Sequence, residues 1–336
     1  MVGLGRYHPG MESAALSQII ERVRESAHAG SPLRISGGGT KDFVGGPAVA
    51  LSRAERLDMR GHVGIVDYEP SELVVTVRAG TPLAELEAEL ASRGQCLAFE
   101  PPRLAAGGTV GGMVAAGLSG PSRASVGAVR DYVLGIEIIN GKGELLRFGG
   151  QVMKNVAGYD VSRLMAGSWG TLGAITEVSL KVLPVAPAEA TLRFECDEAT
   201  ALQRLHAWGG QPLPLNASCW TSFRGVGLLF VRLRGAKAAV ESACANMGGE
   251  RLDNLLINAV WDKLRDQSVP WFEGRANRPD CALWRLSVPQ TAPALQLPLP
   301  PSEESTLIEW HGGLRWVQAP IEAASALHAA AQAVGG

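Results

Sequence analysis

The sequence predicts an α+β protein of two domains, and three observations carry that expectation. The chain has 336 residues, more than one small module needs and enough for two sizeable cores. Its first half sets short apolar β-like runs between clusters of glycine. Its second half, beyond the proline-rich stretch PVAPAEA at 184–190, reads strand, helix, strand, strand, helix, which is the order of a ferredoxin-like α+β sandwich. The expected domains are 1–184 and 185–336.

The elements follow in order. Apolar positions at helical spacing in ESAALSQIIERVRESAHA (12–29), ending at Gly30, predict an amphipathic helix. Short strands are expected at LRIS, AVALS, GHVGIVDYEP and ELVVTVRAG, each bounded by Gly, Pro or Ser. Thr81 and Pro82 read as the N-cap and first turn of the helix PLAELEAELASRG, which Gly94 stops. DYVLGIEIINGKGELLRFGG reads as a hairpin turning at Asn140 and Gly141. DVSRLMAGSWGTL predicts a short helix entering a glycine turn, and GAITEVSLKVLP the strand that closes the first domain. In the second half, ATLRFEC, DEATALQRLHAWG, LNASCWTSF, GVGLLFVRLRG and AKAAVESACANMG supply the strand and helix order, and TLIEWHGGLRWVQAP a last hairpin before the helix EAASALHAAAQAV. In NLLINAVWDKL, Leu256, Val260, Trp261 and Leu264 share a helical face that reads as core. Seven tryptophans in this half either fill its core or face a partner.

Composition excludes several function classes. Charged residues are 19% and the formal net charge is -2, so there is no basic field for nucleic acid or an anionic membrane surface. Apolar runs are interrupted well short of the roughly 20 residues of a membrane span. No export signal is read at the N-terminus, so a cytoplasmic location is expected, with attachment to the inner membrane through partners left open. The five cysteines are scattered, with no C-x-x-C pair, which argues against a disulfide framework, a metal site or an iron–sulfur cluster of the chain's own.

Chemistry is expected at the glycines, of which there are 41. RISGGGTKDF places Gly37, Gly38 and Gly39 directly behind a strand. No Gly-Lys-[Ser/Thr] triplet occurs, so a P-loop is excluded, and neither ISGGGTKDF nor GGTVGG has the spacing of a dinucleotide-binding βαβ fingerprint. Four separate clusters remain: 37–39; Gly107, Gly108, Gly111 and Gly112; Gly117 and Gly120; Gly167, Gly170 and Gly173. Loops of this kind suit either ordinary turns or main-chain amides converging on one elongated anionic ligand.

The segments RISGGGTK, EPPRLAAGGTVGGMVAAGLSGPSRASVGAVRDYVLG, GGQVMKNVAGYD and GSWGTLGAITEVSLKVLP closely resemble the FAD domain of the vanillyl-alcohol oxidase (PCMH-type) superfamily. Within it they are most similar to the family of FAD-binding subunits E of glycolate oxidase, to whose C-terminal region IEWHGGLRW is also similar. The resemblance implies a two-part PCMH-type FAD-binding domain followed by a smaller ferredoxin-like α+β cap. It implies that Ser36, Gly37, Gly38, Gly39 and Thr40 wrap the FAD pyrophosphate and that Pro101 and Pro102 stiffen the entry to a second loop. Gly108, Thr109, Gly111 and Gly112 would line the ribityl and flavin side, Ser119, Gly120 and Arg130 complete the cradle, and Gly173, Ala174 and Ile175 pass the adenine and ribose. Gly39 stands where some superfamily members carry the histidine that tethers flavin, so non-covalent FAD is expected. Lys154 is either a cation near the flavin edge or a solvated strand residue, with Tyr159 and Asp160 as a turn and helix cap.

Catalytic candidates are Lys154, His311 and Arg315, the last as a carboxylate clamp with Trp310 and Trp316 as walls; a lone hairpin histidine is more often structural. The histidine-rich metal motif of related stand-alone 2-hydroxyacid dehydrogenases does not occur. By resemblance the chain is an FAD-dependent oxidoreductase acting on CH–OH groups. It would be a subunit of a glycolate oxidase (dehydrogenase) complex with a second flavin subunit and an iron–sulfur subunit, oxidising glycolate, a 2-hydroxy acid, to glyoxylate. A self-sufficient dehydrogenase of a small hydroxy acid or alcohol, and a catalytically silent FAD-stabilised assembly subunit, stay open as alternatives.

Overall fold

The structure is a computed structural model that describes residues 14–44, 54–150, 159–273, 280–297 and 306–336. The chain divides into two compact units. The first holds the residues through Leu118 together with Ala128–Val185; the second holds Ala186–Gly336 together with the short segment Ser119–Gly127.

In the first unit, β1 (Leu33–Ser36) and β2 (Glu55–Asp58) pair in parallel. They pack beneath the helix Ala14–Ala29, whose Leu16, Ile19, Ile20 and Val23 meet Leu57 and Met59. The predicted strand AVALS lies outside the described residues. A five-stranded antiparallel sheet follows, built from β3 (Ile65–Glu69), β4 (Val74–Arg78), then, beyond the two-residue β5 (Gln95–Cys96), β6 (Val133–Ile139), β7 (Leu145–Gly149) and β8 (Ala174–Lys181). Its order is β3-β4-β8-β6-β7, so the strand expected to close the domain is central. β9 (Leu183–Pro184) pairs with β5. One face of the sheet buries Val75, Val77, Ile136, Val178 and Leu180 against the helices Leu83–Ser92 and Val110–Ala116. Burial of about 20 such side chains at roughly 1.5–3 kcal/mol each is the main force holding this unit.

Two local expectations need correction. Thr81 does not cap the helix at Leu83; its hydroxyl instead accepts the Gly64 amide at 2.9 Å, and Pro82 stands at the N-cap. The β6–β7 connection is longer than a two-residue turn. Asn140 Oδ1 accepts the amides of Lys142 and Glu144, and Gly143 takes the left-handed backbone, so five residues make the bend.

The second unit is a seven-stranded antiparallel sheet. Its strands are β10 (Ala188–Glu195), β11 (Leu215–Phe223), β12 (Val226–Gly235), β13 (Glu250–Arg251), β14 (Cys281–Ser287), β15 (Thr306–Glu309) and β16 (Leu314–Pro320). The order is β13-β10-β12-β11-β15-β16-β14. Its first four strands are the split βαβ arrangement the sequence order predicted, and the other three extend it. The helices Glu198–Gly209 and Lys237–Met247 cover one face through Leu202, Leu205 and Val240. The helix Asn254–Arg265 covers the other through Ile257, Trp261 and Leu264. Its buried face is rotated from the expected one: Leu256 is 74% and Val260 46% exposed. Trp220, Trp261, Trp310 and Trp316 are core residues and Trp208, Trp271 and Trp284 are partly buried; Trp220 donates to Cys196 O, Trp261 to Thr191 Oγ1, Trp284 to Ala319 O and Trp316 to Glu309. All five cysteines are free thiols. Among the described residues no helix is long and apolar enough to cross a membrane, and no group of three or more His, Cys, Asp or Glu could hold a metal.

Candidate functional site

Three of the four glycine clusters meet at one cavity of about 340 Å³ in the first unit. Ser36, Gly37, Gly38, Gly39 and Thr40 line it from the end of β1. Thr109, Gly111 and Gly112 line it from the start of the helix Val110–Ala116, and Gly170, Gly173 and Ile175 from the segment entering β8.

The triplet 37–39 is glycine for reasons the geometry makes explicit. A Cβ on Gly37 would lie 2.3 Å from Thr109 Oγ1, and one on Gly38 only 1.7 Å from the carbonyl oxygen of Gly107. Gly39 has φ +71°, where side chains other than glycine are strained. Two of the three missing side chains therefore let the first loop touch the second, and the third permits the turn. That turn closes with the Asp42 amide donating to Gly39 O at 3.2 Å.

The second loop is clamped from behind. Val110 N donates to Thr81 O, Gly111 N to Ala79 O and Leu83 N to Gly108 O, while Gly112 N donates to Thr109 Oγ1, the N-cap of its helix. The amides of Val110, Gly111 and Gly112 are thus already engaged. The amides of Gly38, Gly39 and Thr40 have no hydrogen-bond partner among the described residues and border the cavity. These are the donors open to a ligand, and their convergence on one concave space suits an anion.

Residues 13–149 match the family model described as an FAD binding domain. The chain is 43% identical to glycolate oxidase subunit GlcE of Escherichia coli strain K12 over 318 residues, covering 95% of this chain and 84% of that protein. The chain belongs to the GlcE family. It is also 30% identical to a D-2-hydroxyglutarate dehydrogenase of Xanthomonas citri pv. viticola, over 69% of this chain and 49% of that protein. A solved alkyldihydroxyacetonephosphate synthase, 15% identical, superposes with TM-score 0.63 over 95% of this chain and 72% of that one, which shows the shared fold.

FAD is the cofactor of this family domain, and the cavity fits it. Two loops held in contact through bare Cα atoms leave unpartnered amides facing a space beside them, the arrangement a diphosphate requires. Reading the sequence missed part of the lining: Arg34, Lys41, Asp42 and Trp169 border the cavity as well. The sequence signal for Trp169 was its place between Gly167 and Gly170, both left-handed at φ 85° and 76°; the turn they make holds Trp169 itself at φ 53°, unusual for a bulky residue. Of the remaining expected contacts, Pro101, Pro102, Gly108 and Ala174 lie outside the cavity lining, and Arg130 is exposed on the first unit. Asp160 caps the helix Val161–Met165 by accepting the Arg163 amide, and Tyr159 is exposed. Lys154 lies outside the described residues.

Ser119 and Gly120 belong to the second unit, with His311 and Arg315. Trp310 Nε1 donates to Gly120 O at 3.0 Å, and the Arg123 guanidinium stacks 4.4 Å from the Trp310 ring centroid. His311 Nε2 and Ser125 Oγ are hydrogen-bonded at 2.8 Å, and the His311 amide donates to Ser218 Oγ. Trp310 and His311 both have left-handed backbone, φ 53° and 54°. Desolvation alone pushes the His311 imidazole down to about 4, so it is neutral near pH 7. Arg315 is fully buried on β16, donating to Ala292 O at 3.1 Å. Burial pushes its guanidinium down to about 10, partly offset by Glu198, and it stays charged. Neither residue lines the glycine cavity.

Proposed function

We propose that this chain is the FAD-binding subunit of a complex that oxidises glycolate to glyoxylate. The observation that carries the reading is the near full-length 43% identity to glycolate oxidase subunit GlcE, joined to a glycine cavity that fits FAD. In this reading Ser36, Gly37, Gly38, Gly39 and Thr40 hold the diphosphate, chiefly through the amides of the turn at Gly39. Thr109, Gly111, Gly112, Gly173 and Ile175 shape the walls, Pro101 and Pro102 stiffen the entry to the second loop, and Gly108, Ala174, Ser119, Gly120 and Arg130 are the further cofactor-binding residues of this reading. Bound FAD supplies a two-electron acceptor for the hydride of the substrate α-carbon.

Oxidation of a hydroxy acid also needs a group that takes the hydroxyl proton. His311 is this chain's candidate for that proton, with Arg315 as a clamp for the substrate carboxylate and Lys154 as a cation near the flavin edge. His311 as found is a weak base, because its pKa is held well below neutrality. The electrons leave one at a time through an iron–sulfur subunit, since the chain's cysteines are dispersed, and a second flavin subunit completes the complex. The chain works in the cytoplasm, peripheral to the inner membrane through those partners.

A second reading is favoured by one observation: among the described residues the cavity lining holds Asp42 as its one carboxylate and no histidine. A subunit whose FAD stabilises the assembly without meeting substrate would look like this. The deciding experiment is the absorbance spectrum of the purified chain before and after adding glycolate. Bleaching of the flavin bands near 450 nm supports the first reading. A yellow protein that stays oxidised alone, and whose partner complex still turns over, supports the second. A folded chain that takes up no FAD refutes both.

A further inference from the structure

The charges bordering the glycine cavity do not balance. Its described lining carries two cations, Arg34 and Lys41, and one carboxylate, Asp42. Arg34 and Asp42 already form an ion pair at 3.8 Å. Lys41 has no carboxylate partner among the described residues, and its one polar contact is a 3.3 Å hydrogen bond from Nζ to Thr40 Oγ1. The backbone explains its position. Thr40 and Lys41 are the two central residues of the turn that Gly39 O and the Asp42 amide close, so Lys41 follows directly on the three unpartnered amides.

Its surroundings make the charge costly as it stands. Lys41 is only partly exposed, and desolvation pushes its ammonium below the ordinary lysine value. A half-buried cation with a single neutral partner gains strongly from an anion brought into contact, because the interaction is formed where water screens it less. The neutral amides of Gly38, Gly39 and Thr40 supply direction for such an anion, but no net charge.

We infer that Lys41 is the counter-ion of the dinucleotide's diphosphate, the one side chain of this turn that supplies formal charge to the cofactor. The inference rests on the cavity holding FAD and goes beyond it. It assigns a role to a residue outside the glycine pattern, and it makes cofactor retention in this chain dependent on ionic strength.

The test is an FAD titration of the apo-chain, followed by quenching of flavin fluorescence, for the unaltered protein, Lys41→Gln and Lys41→Arg. Titrations are run at low salt and at about 1 M NaCl, where the screening length falls to roughly 3 Å. ADP, which carries the diphosphate without the flavin, is measured by displacement of FAD. Lys41→Gln is expected to weaken FAD by about 10- to 100-fold at low salt and to weaken ADP by a similar factor. Lys41→Arg is expected to recover most of the loss, and the gap is expected to narrow at high salt. Unchanged FAD affinity in Lys41→Gln overturns the inference while leaving FAD binding intact. Weakened FAD with unchanged ADP also overturns it, by placing the lysine against the flavin ring. An unaltered chain that binds no FAD overturns the cofactor site as a whole, and the counter-ion role falls with it. Because Lys41 lies in a surface turn, thermal unfolding of the apo-variants is expected to match the unaltered protein, which separates lost binding from lost fold.

Discussion

Gly38→Ala tests what the glycine triplet is for. The added Cβ would stand 1.7 Å from the Gly107 carbonyl oxygen and 2.4 Å from its carbon, both backbone atoms that no rotamer change can move. To restore even a 3.0 Å contact the two loops must separate by more than an ångström. Gly107 is tied into this region through Gly108, whose carbonyl accepts Leu83 N, and through Val110 and Gly111, bonded to Thr81 and Ala79. The strain therefore falls at the upper end of overpacking, about 3 kcal/mol. For a cooperative unit of this size that is a fall in melting temperature of roughly 6–12 °C. FAD affinity is expected to drop at least about tenfold, since an ångström of displacement takes an amide out of hydrogen-bond range. The control is Gly108→Ala, where the nearest atom to the new Cβ is Thr40 Oγ1 at 3.7 Å and the backbone is not left-handed. It should change stability by less than about 0.5 kcal/mol. Differential scanning fluorimetry of the apo-proteins, with flavin content read by absorbance, decides the matter. A Gly38→Ala protein that melts with the unaltered chain and keeps its FAD refutes the loop–loop explanation, as does a Gly108→Ala protein that fails in its place.

Three further outcomes are expected. His311 is neutral in the fold and its pKa is lowered from 6.5 to about 4, so its contribution is complete above pH 6.5 and is lost as pH falls toward 4. Urea unfolding at pH 7.5 and 4.5 should show His311→Asn, which tolerates left-handed backbone, losing about 2–3 kcal/mol less stability on acidification than the unaltered chain. Trp310→Phe removes the buried bond to Gly120 O and should cost about 0.5–1.5 kcal/mol in the same assay, because the carbonyl keeps the Arg123 amide as a donor. Replacing Leu255 and Leu256, 89% and 74% exposed, by Gln should change stability by less than about 0.5 kcal/mol each, whereas Ile257→Ala on the same helix should cost about 2–5 kcal/mol.

What the sequence made legible was whatever depends on local periodicity. The strand, helix, strand, strand, helix order of the second unit produced the split sheet because each run carried its own burial pattern. Of the three added strands, β15 and β16 were legible as a hairpin; β14 was not, for it pairs with β16 across 27 to 39 residues, and no local pattern reports such a partner. The helix Asn254–Arg265 shows a subtler limit. Leu256 and Ile257 are adjacent, apolar and equally good helix residues, and only the position of the sheet decides that Ile257 is the buried one. Thr81 misled for a similar reason, since a hydroxyl before a proline satisfies the rule for a cap, while the distant Gly64 amide was the better partner.

The site was legible in outline and ambiguous in cause. A glycine in a sequence reports only that a side chain is unwelcome, and a ligand, a neighbouring loop and a left-handed turn all exclude it equally. At Gly37 and Gly38 the excluded volume belongs to Thr109 and Gly107; at Gly39 it is the turn. The ligand-facing donors are a consequence of that packing, because holding the first loop against the second by its Cα atoms leaves the amides of the turn without internal partners. Charge followed a different rule. Lys41 and Asp42 stand side by side in the sequence with nothing to distinguish a paired residue from a lone one. Only the fold, by giving Asp42 to Arg34, left the lysine beside the cavity as an unbalanced cation, and with it the dependence of cofactor binding on salt.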